Sequence, residues 1–289
     1  MLKKMLMGIG VFVSMTQASY AKPPVFVEMF GMNGCGADMK VQDAVFSMLR
    51  EHDNVIFINC RKKFDDENMS KKYTHQFCND RSAEYARRQS FWGERVPMVI
   101  INGQWEAFYD DLDPAIKMGR TDEVKPISVR VESNVIYVSV PEIENVKSGN
   151  LFLYAFAPTQ GDETMVVDPD VNLTDDIQER LAAGQSVPFV TKERLVPYFV
   201  RPIVSREKIA IWDGRAMDAS FSLDSLTELV GSGYQDLSYV VALHKGDDYG
   251  AVVAVGEVLS VAEQNNVLLH SKPLDIELRS NPNPEVLAQ

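Results

Sequence analysis

Two apolar runs with an amphipathic segment between them constrain this chain more than any other feature. "PVFVEMF" (24–30) reads as a short strand of the kind buried on both faces at the centre of a sheet. Val41, Ala44, Val45, Met48 and Leu49 then recur at helical spacing along one face. "NVIFINC" (54–60) is a second apolar run, so strand, helix and strand are complete within about 35 residues. So short a helical crossover implies parallel strands and a right-handed βαβ unit.

A polar stretch, "RKKFDDENMSKKYTHQFCNDR", leads to a helical segment around "SAEYARRQSFW". "VPMVIING" follows, ending in the hairpin signal Asn102-Gly103, so "QWEAFY" reads as the returning strand. "DLDPAIKMG" predicts a helix with Asp113 as its cap and Pro114 at its first position. The order βαβ–αββα is that of the thioredoxin fold, where a proline opens the third strand with a cis peptide bond. Pro97 stands in that place; the alternative is an ordinary trans proline at a strand start.

The pattern changes near Pro126. "ISVRVES", "VIYVSV", "LFLYAFAP", "YFVRPIVSREKIAIW", "MDASFSL", "SYVVALHK" and "YGAVVAVGEVLS" read as strands, with Asp213-Gly214 as a hairpin turn and "LTDDIQERLAAGQ" as one helix. The expected architecture is an α/β thioredoxin-like domain over 22–125, then a mainly antiparallel, sandwich-like β domain over 126–262. The tail, 263–289, lacks periodicity and is expected to be partly mobile.

Residues 1–21 carry the pattern of a secretory signal: the basic "MLKK", an apolar stretch, and Ser19 and Ala21 at the small-residue positions. Cleavage after Ala21 is expected to deliver a periplasmic or secreted protein with no membrane span. It removes Lys3 and Lys4, so 27 basic residues face 41 acidic ones, for a net charge of −14. That charge argues against nucleic acid and anionic lipid as partners.

"VFVEMFGMNGC", "YARRQ", "VPMVIING" and "YFVRPIVSREKIAIWDG" together resemble a family of secreted bacterial proteins known as a thioredoxin-like domain of unknown function. The likeness runs from about Pro24 to Leu259. It implies a thioredoxin-like fold followed by a β-rich part, and it implies no activity, since the family has none established. The family's first strand runs into Gly-Cys-x-x-Cys followed by two prolines; here Cys35 is followed at that position by Asp38, then Met39 and Lys40. A polar His-Val-Asp-Tyr-Trp element of the family is replaced by Arg61-Lys62-Lys63-Phe64-Asp65. Both departures fall where the family's chemistry is expected.

Cys35, at a strand-to-helix junction, is the candidate nucleophile. Helix N–H groups and the dipole lower a thiol's pKa there. Asp38 works against this as a second negative charge in the first turn. The alternative is a cysteine packed without use beside Gly34 and Gly36. Cys60 and Cys78 are the other two cysteines of the exported chain, so at least one of the three stays unpaired within it. The pairings 35–60, 35–78 and 60–78 are all open; a structural 60–78 bridge across the polar loop is favoured over a role for either in resolving a mixed disulfide at Cys35.

His75 and Cys78 make only half of a metal site, and His52, His244 and His270 are scattered, so no metal or other cofactor is expected. Arg61, Lys62, Lys63, Lys71 and Lys72 read as a solvated loop face rather than a binding patch. Two functions remain. One is a thiol-disulfide role through Cys35, with Pro97 shaping a groove and protein thiols as substrate. The other is a non-catalytic module for binding or assembly with an extracytoplasmic protein.

Overall fold

The computed structural model of the chain describes residues 22–32, 38, 41–42, 44–45, 48–49, 52, 54–63, 73–89, 96–107, 111–121, 123–166, 195–224 and 236–269, without the side chains of 160–199 and 266–269. The first apolar runs form β1 (Val25–Gly31) and β2 (Val55–Lys62), parallel and in register from Val25–Val55 to Gly31–Arg61. A short β3 (Thr74–His75) joins β2, β4 (Met98–Ile101) joins β1 antiparallel, and β5 (Trp105–Ala107) joins β4 antiparallel, giving the order β3-β2-β1-β4-β5. The β4–β5 connection spans Asn102, Gly103 and Gln104; Asn102 and Gly103 are both at positive φ (50° and 66°), and the Gln104 N–H donates to the Ile101 carbonyl at 2.9 Å to close the turn. Asn102 does more than turn the chain. Its side chain accepts from the Phe26 N–H at 2.8 Å and donates to the Gly119 carbonyl at 2.7 Å.

A second sheet has the order β12-β9-β14-β15-β6, from β6 (Lys125–Pro126), β9 (Gly149–Phe156), β12 (Ile203–Trp212), β14 (Ser238–Lys245) and β15 (Val252–Val258). A third is built from β7 (Ser128–Glu132), β8 (Val135–Val140) and β13 (Met217–Ser222), in the order β13-β8-β7. β10 (Gln160–Val166) and β11 (Leu195–Phe199) pair separately.

Strand alternation sorts the core into layers. Phe152, Tyr154, Phe156, Val240 and Ala242 of the second sheet meet Phe26, Phe30, Ile56, Ile58, Met98 and Ile100 of the first. The neighbours that alternate with them, Leu151, Leu153, Val241 and Leu243, face Ile136, Val138 and Val140 of the third. Fully burying an aromatic such as Phe26 or Phe156 contributes about 1.5–3 kcal/mol. The outer face of the first sheet is covered by Val41, Val45 and Met48 and by the helix α2 (Leu112–Gly119), through Leu112 and Ile116. α1 (Gln76–Gln89) adds Cys78 and Tyr85 to the shared core, and α3 (Val261–Leu269) follows β15.

The expected fold class is corrected here. Instead of an α/β thioredoxin-like domain ahead of a β sandwich, the described residues form fifteen strands in four sheets and only three named helices. The reason lies in what an apolar run can say. β1 and β2 are buried along their whole lengths, as their composition demands. The run does not say what covers it. On one face the cover comes largely from another sheet, where the strand–helix pattern suggested helices.

Smaller departures have local causes. α1 begins at Gln76 rather than near Ser82, so Cys78 lies on a helix and not in a polar loop. "YFVRPIVSREKIAIW" splits into β11 and β12, interrupted at Arg201, whose φ is 43°. Asp111 rather than Asp113 occupies the N-cap of α2; Asp113 instead pairs with His52 and Lys117. The chain continues as α3 into the segment set apart as a tail. The expected helix at "LTDDIQERLAAGQ" and the end segment "RSNPNPEVLAQ" lie outside the described residues.

Candidate functional site

The parallel pairing of β1 and β2 puts their carboxyl ends side by side, with Phe30 opposite Cys60 and Gly31 opposite Arg61. β4 runs antiparallel to β1 with Met98 opposite Phe30, so Pro97 enters the sheet at this same end. The Val96–Pro97 peptide is cis. One rim of the sheet therefore gathers Gly31, Cys60, Arg61 and Pro97. Cys35 lies outside the described residues.

Asp38 belongs to the helical stretch that follows β1, and Arg61 Nη1 donates to its Oδ2. Both side chains are only 1% exposed. Gln42, one helical turn on, donates to the same oxygen at 3.3 Å. Its own Oε1 accepts from Asn59 Nδ2 at 3.0 Å and from the Val200 N–H at 2.9 Å. The network thus ties the post-β1 helical segment to β2 and to the chain after β11. Burial pushes the Asp38 carboxyl up from its usual range, and Arg61 is the chief opposing influence. Gly31 is part of the arrangement. A Cβ there would lie 2.4 Å from Asp38 Oδ1 and 2.6 Å from Arg61 Nη1.

Asp38, expected to oppose the lowering of the Cys35 pKa, is buried and paired with Arg61. Arg61 itself was expected on a solvated basic face, yet it and Lys62 are buried. The signal that could have found it is register. β2 continues two residues past "NVIFINC", which draws Arg61 into the strand beside Gly31.

Cys60 and Cys78 form a disulfide with a Cα–Cα distance of 5.4 Å, both fully buried. It joins the end of β2 to the first turns of α1. Successive strand residues point to opposite faces. Cys60 lies on the face shared with the second sheet, while the neighbouring Arg61 reaches Asp38. His75 stacks on Phe77, and burial lowers its pKa. His52 pairs with Asp113 at 2.8 Å. Among the described residues no group of three or more His, Cys, Asp or Glu side chains could hold a metal ion.

A further charged cluster gave no motif at all. Glu28 sits mid-strand in the buried β1 run, and Arg81 of α1 binds it bidentately at 2.8 and 2.6 Å. A glutamate within a doubly buried strand demands such a partner, and that demand was the available signal.

No protein-family model matches the chain, and no curated protein matches it. Among solved structures, protein AGR_C_4864 from Agrobacterium tumefaciens is similar with a TM-score of 0.57 at 16% identity, over 81% of this chain and 93% of that one. HBP35 of Porphyromonas gingivalis gives a TM-score of 0.44 at 16% identity, over 83% of this chain and 76% of that one. The first likeness speaks for the fold alone, and the second carries no argument. No helix among the described residues is long and apolar enough to cross a membrane.

Proposed function

We propose that this chain is an exported, non-catalytic module that binds or assembles with another extracytoplasmic protein. The observation that carries this reading is Asp38. Three residues after Cys35, where a resolving thiol would stand, a carboxylate is buried against Arg61. Cys60 and Cys78 are bonded to each other inside the core, which leaves neither poised to resolve a mixed disulfide. Export is supported by the leader pattern of residues 1–21, by the resemblance to a secreted family, and by a disulfide of the kind that persists in oxidising compartments. The acidic balance favours a protein partner over nucleic acid.

The competing reading is a thiol-disulfide role carried by Cys35 alone, through mixed disulfides with protein thiols. The test is insulin disulfide reduction by dithiothreitol in the presence of the mature protein or of Cys35→Ser. The proposal expects no acceleration over the reductant by either protein. It also expects in-cell cross-linking to recover the same partner from both. An acceleration abolished by Cys35→Ser would move the assignment to thiol chemistry.

A further inference from the structure

The turn between β14 and β15, residues 246–250, is where the second sheet grips α1. The Asp247 carboxylate accepts from Arg88 Nη1 and Nη2 at 3.1 and 3.0 Å. The Asp248 carbonyl accepts from Arg81 Nη1 at 3.1 Å and from Arg206 Nη2 at 2.9 Å. The Asp248 carboxylate receives Asn150 Nδ2 and Lys208 Nζ, each at 2.7 Å. Tyr249 packs edge-on against Tyr85, with the Arg81 and Arg88 guanidinium groups over its ring. The Val252 N–H donates to the Asn102 carbonyl at 2.8 Å, so the grip extends to the β4–β5 turn.

His244 lies beneath this turn, fully buried. Its Nδ1 is 3.0 Å from the Gly250 carbonyl, which can only accept, so Nδ1 carries the proton. In the neutral ring Nε2 then accepts, and the Tyr154 hydroxyl, 2.9 Å away, donates to it. The Tyr154 oxygen accepts in turn from Arg206 Nε at 3.4 Å. This chain of donors closes only around a neutral imidazole.

The charged groups that act on His244 directly are the cations Arg81 of α1 and Arg206 of β12, and Tyr154 of β9 bonds it. Beyond these stand Tyr85 and Arg88 of α1, Lys208 of β12, and Asp247, Asp248 and Tyr249 of the turn. Glu28 of β1 is committed to Arg81, and both turn carboxylates have cationic partners. An imidazolium would add a cation beside Arg81 and Arg206. It would also force the Tyr154 hydroxyl to turn its hydrogen away from Nε2.

We propose that His244 is an acid-sensitive catch: when protonated it releases the 246–250 turn from α1 while the rest of the sheets stay folded. Release uncovers Tyr85, which is fully buried in the neutral protein, and the covered face of the half-buried Tyr249. Burial, then Arg81 and Arg206, hold the His244 pKa well below the usual imidazole range, so the catch opens in acid and not at a small drop from neutrality.

Hydrogen–deuterium exchange of the mature protein at pH 7.5, 5.5 and 4.5, expressed as protection factors, tests this. Peptides spanning 246–252 and 76–89 should lose about tenfold or more in protection at the acid end, while β8 and β13 keep theirs. His244→Gln should abolish that local loss. Histidine NMR on the wild-type protein adds a check that needs no variant, since the opening midpoint must coincide with the titration of His244. A uniform loss across all strands, an unchanged turn, a loss that persists in His244→Gln, or a His244 titration away from the opening midpoint would overturn the proposal.

Discussion

Asp38 and Arg61 form a buried ion pair directly over Gly31, at the rim where β1 and β2 end together. Removing one partner strands the other charge in the core, which costs about 3–5 kcal/mol. Replacing both by apolar residues leaves no stranded charge. Arg61→Met should therefore lower the urea midpoint sharply, and Asp38→Leu/Arg61→Met should recover much of the loss. If the double variant proves no more stable than Arg61→Met, the pair is not the unit described.

Gly31 is required by close approach rather than by an unusual backbone angle. An alanine Cβ would fall between the two charged groups, and relieving that clash means separating them. Gly31→Ala should destabilise by about 1–3 kcal/mol, the usual range for overpacking. In the Asp38→Leu/Arg61→Met background the cost of Gly31→Ala should differ from its cost in the native chain, read as a non-zero interaction in a double-mutant cycle. Additivity between the two would show that the clash lies elsewhere.

The Cys60–Cys78 bridge joins two elements of the shared core. Cys60→Ala/Cys78→Ala should cost about 2–5 kcal/mol. Both sulfurs belong to fully buried residues, so a folded-state reductant has no direct access. The native bridge should resist millimolar dithiothreitol in buffer and reduce readily in denaturant, as followed by thiol labelling. Equal rates in the two conditions would place the bridge at the surface.

His75 and His244 both have pKa values lowered by burial. Above the unfolded imidazole value of about 6.5 both are neutral, folded or unfolded, and add no pH dependence. As pH falls below it, the unfolded chain takes up protons that the fold refuses, so stability declines toward the lowered folded values. The urea midpoint of the wild type should fall between pH 7.5 and 5.5 more steeply than that of His75→Gln/His244→Gln. Parallel profiles would contradict the assignment of neutral rings.

Much of the strand content was legible because it rests on composition and alternation. "SYVVALHK" became β14, Asn102-Gly103 made its hairpin, and the parallel β1–β2 pair followed from the spacing of two apolar runs. The layer above the first sheet was not legible. A doubly apolar strand such as β1 requires cover on both faces, and Phe152 or Val240 can supply it as well as a helix can. The site was legible in part. The three cysteines and Pro97 stood out by type, whereas Arg61, Glu28 and Arg81 owe their roles to burial, which charge alone does not announce. His244, set aside as one of several scattered histidines, became informative only when its two hydrogen-bond partners were fixed.

The central claim is that no second cysteine is available to Cys35. The direct measurement is peptide mapping of the mature protein after equilibration in glutathione redox buffers spanning oxidising to reducing conditions, with free thiols alkylated before digestion. A single intramolecular bridge, Cys60–Cys78, is expected at every poise where any bridge survives, with Cys35 recovered alkylated or as a glutathione adduct. Recovery of Cys35 linked to Cys60 or to Cys78 would contradict it, and would make the chain a thiol-exchanging protein with a distal resolving cysteine.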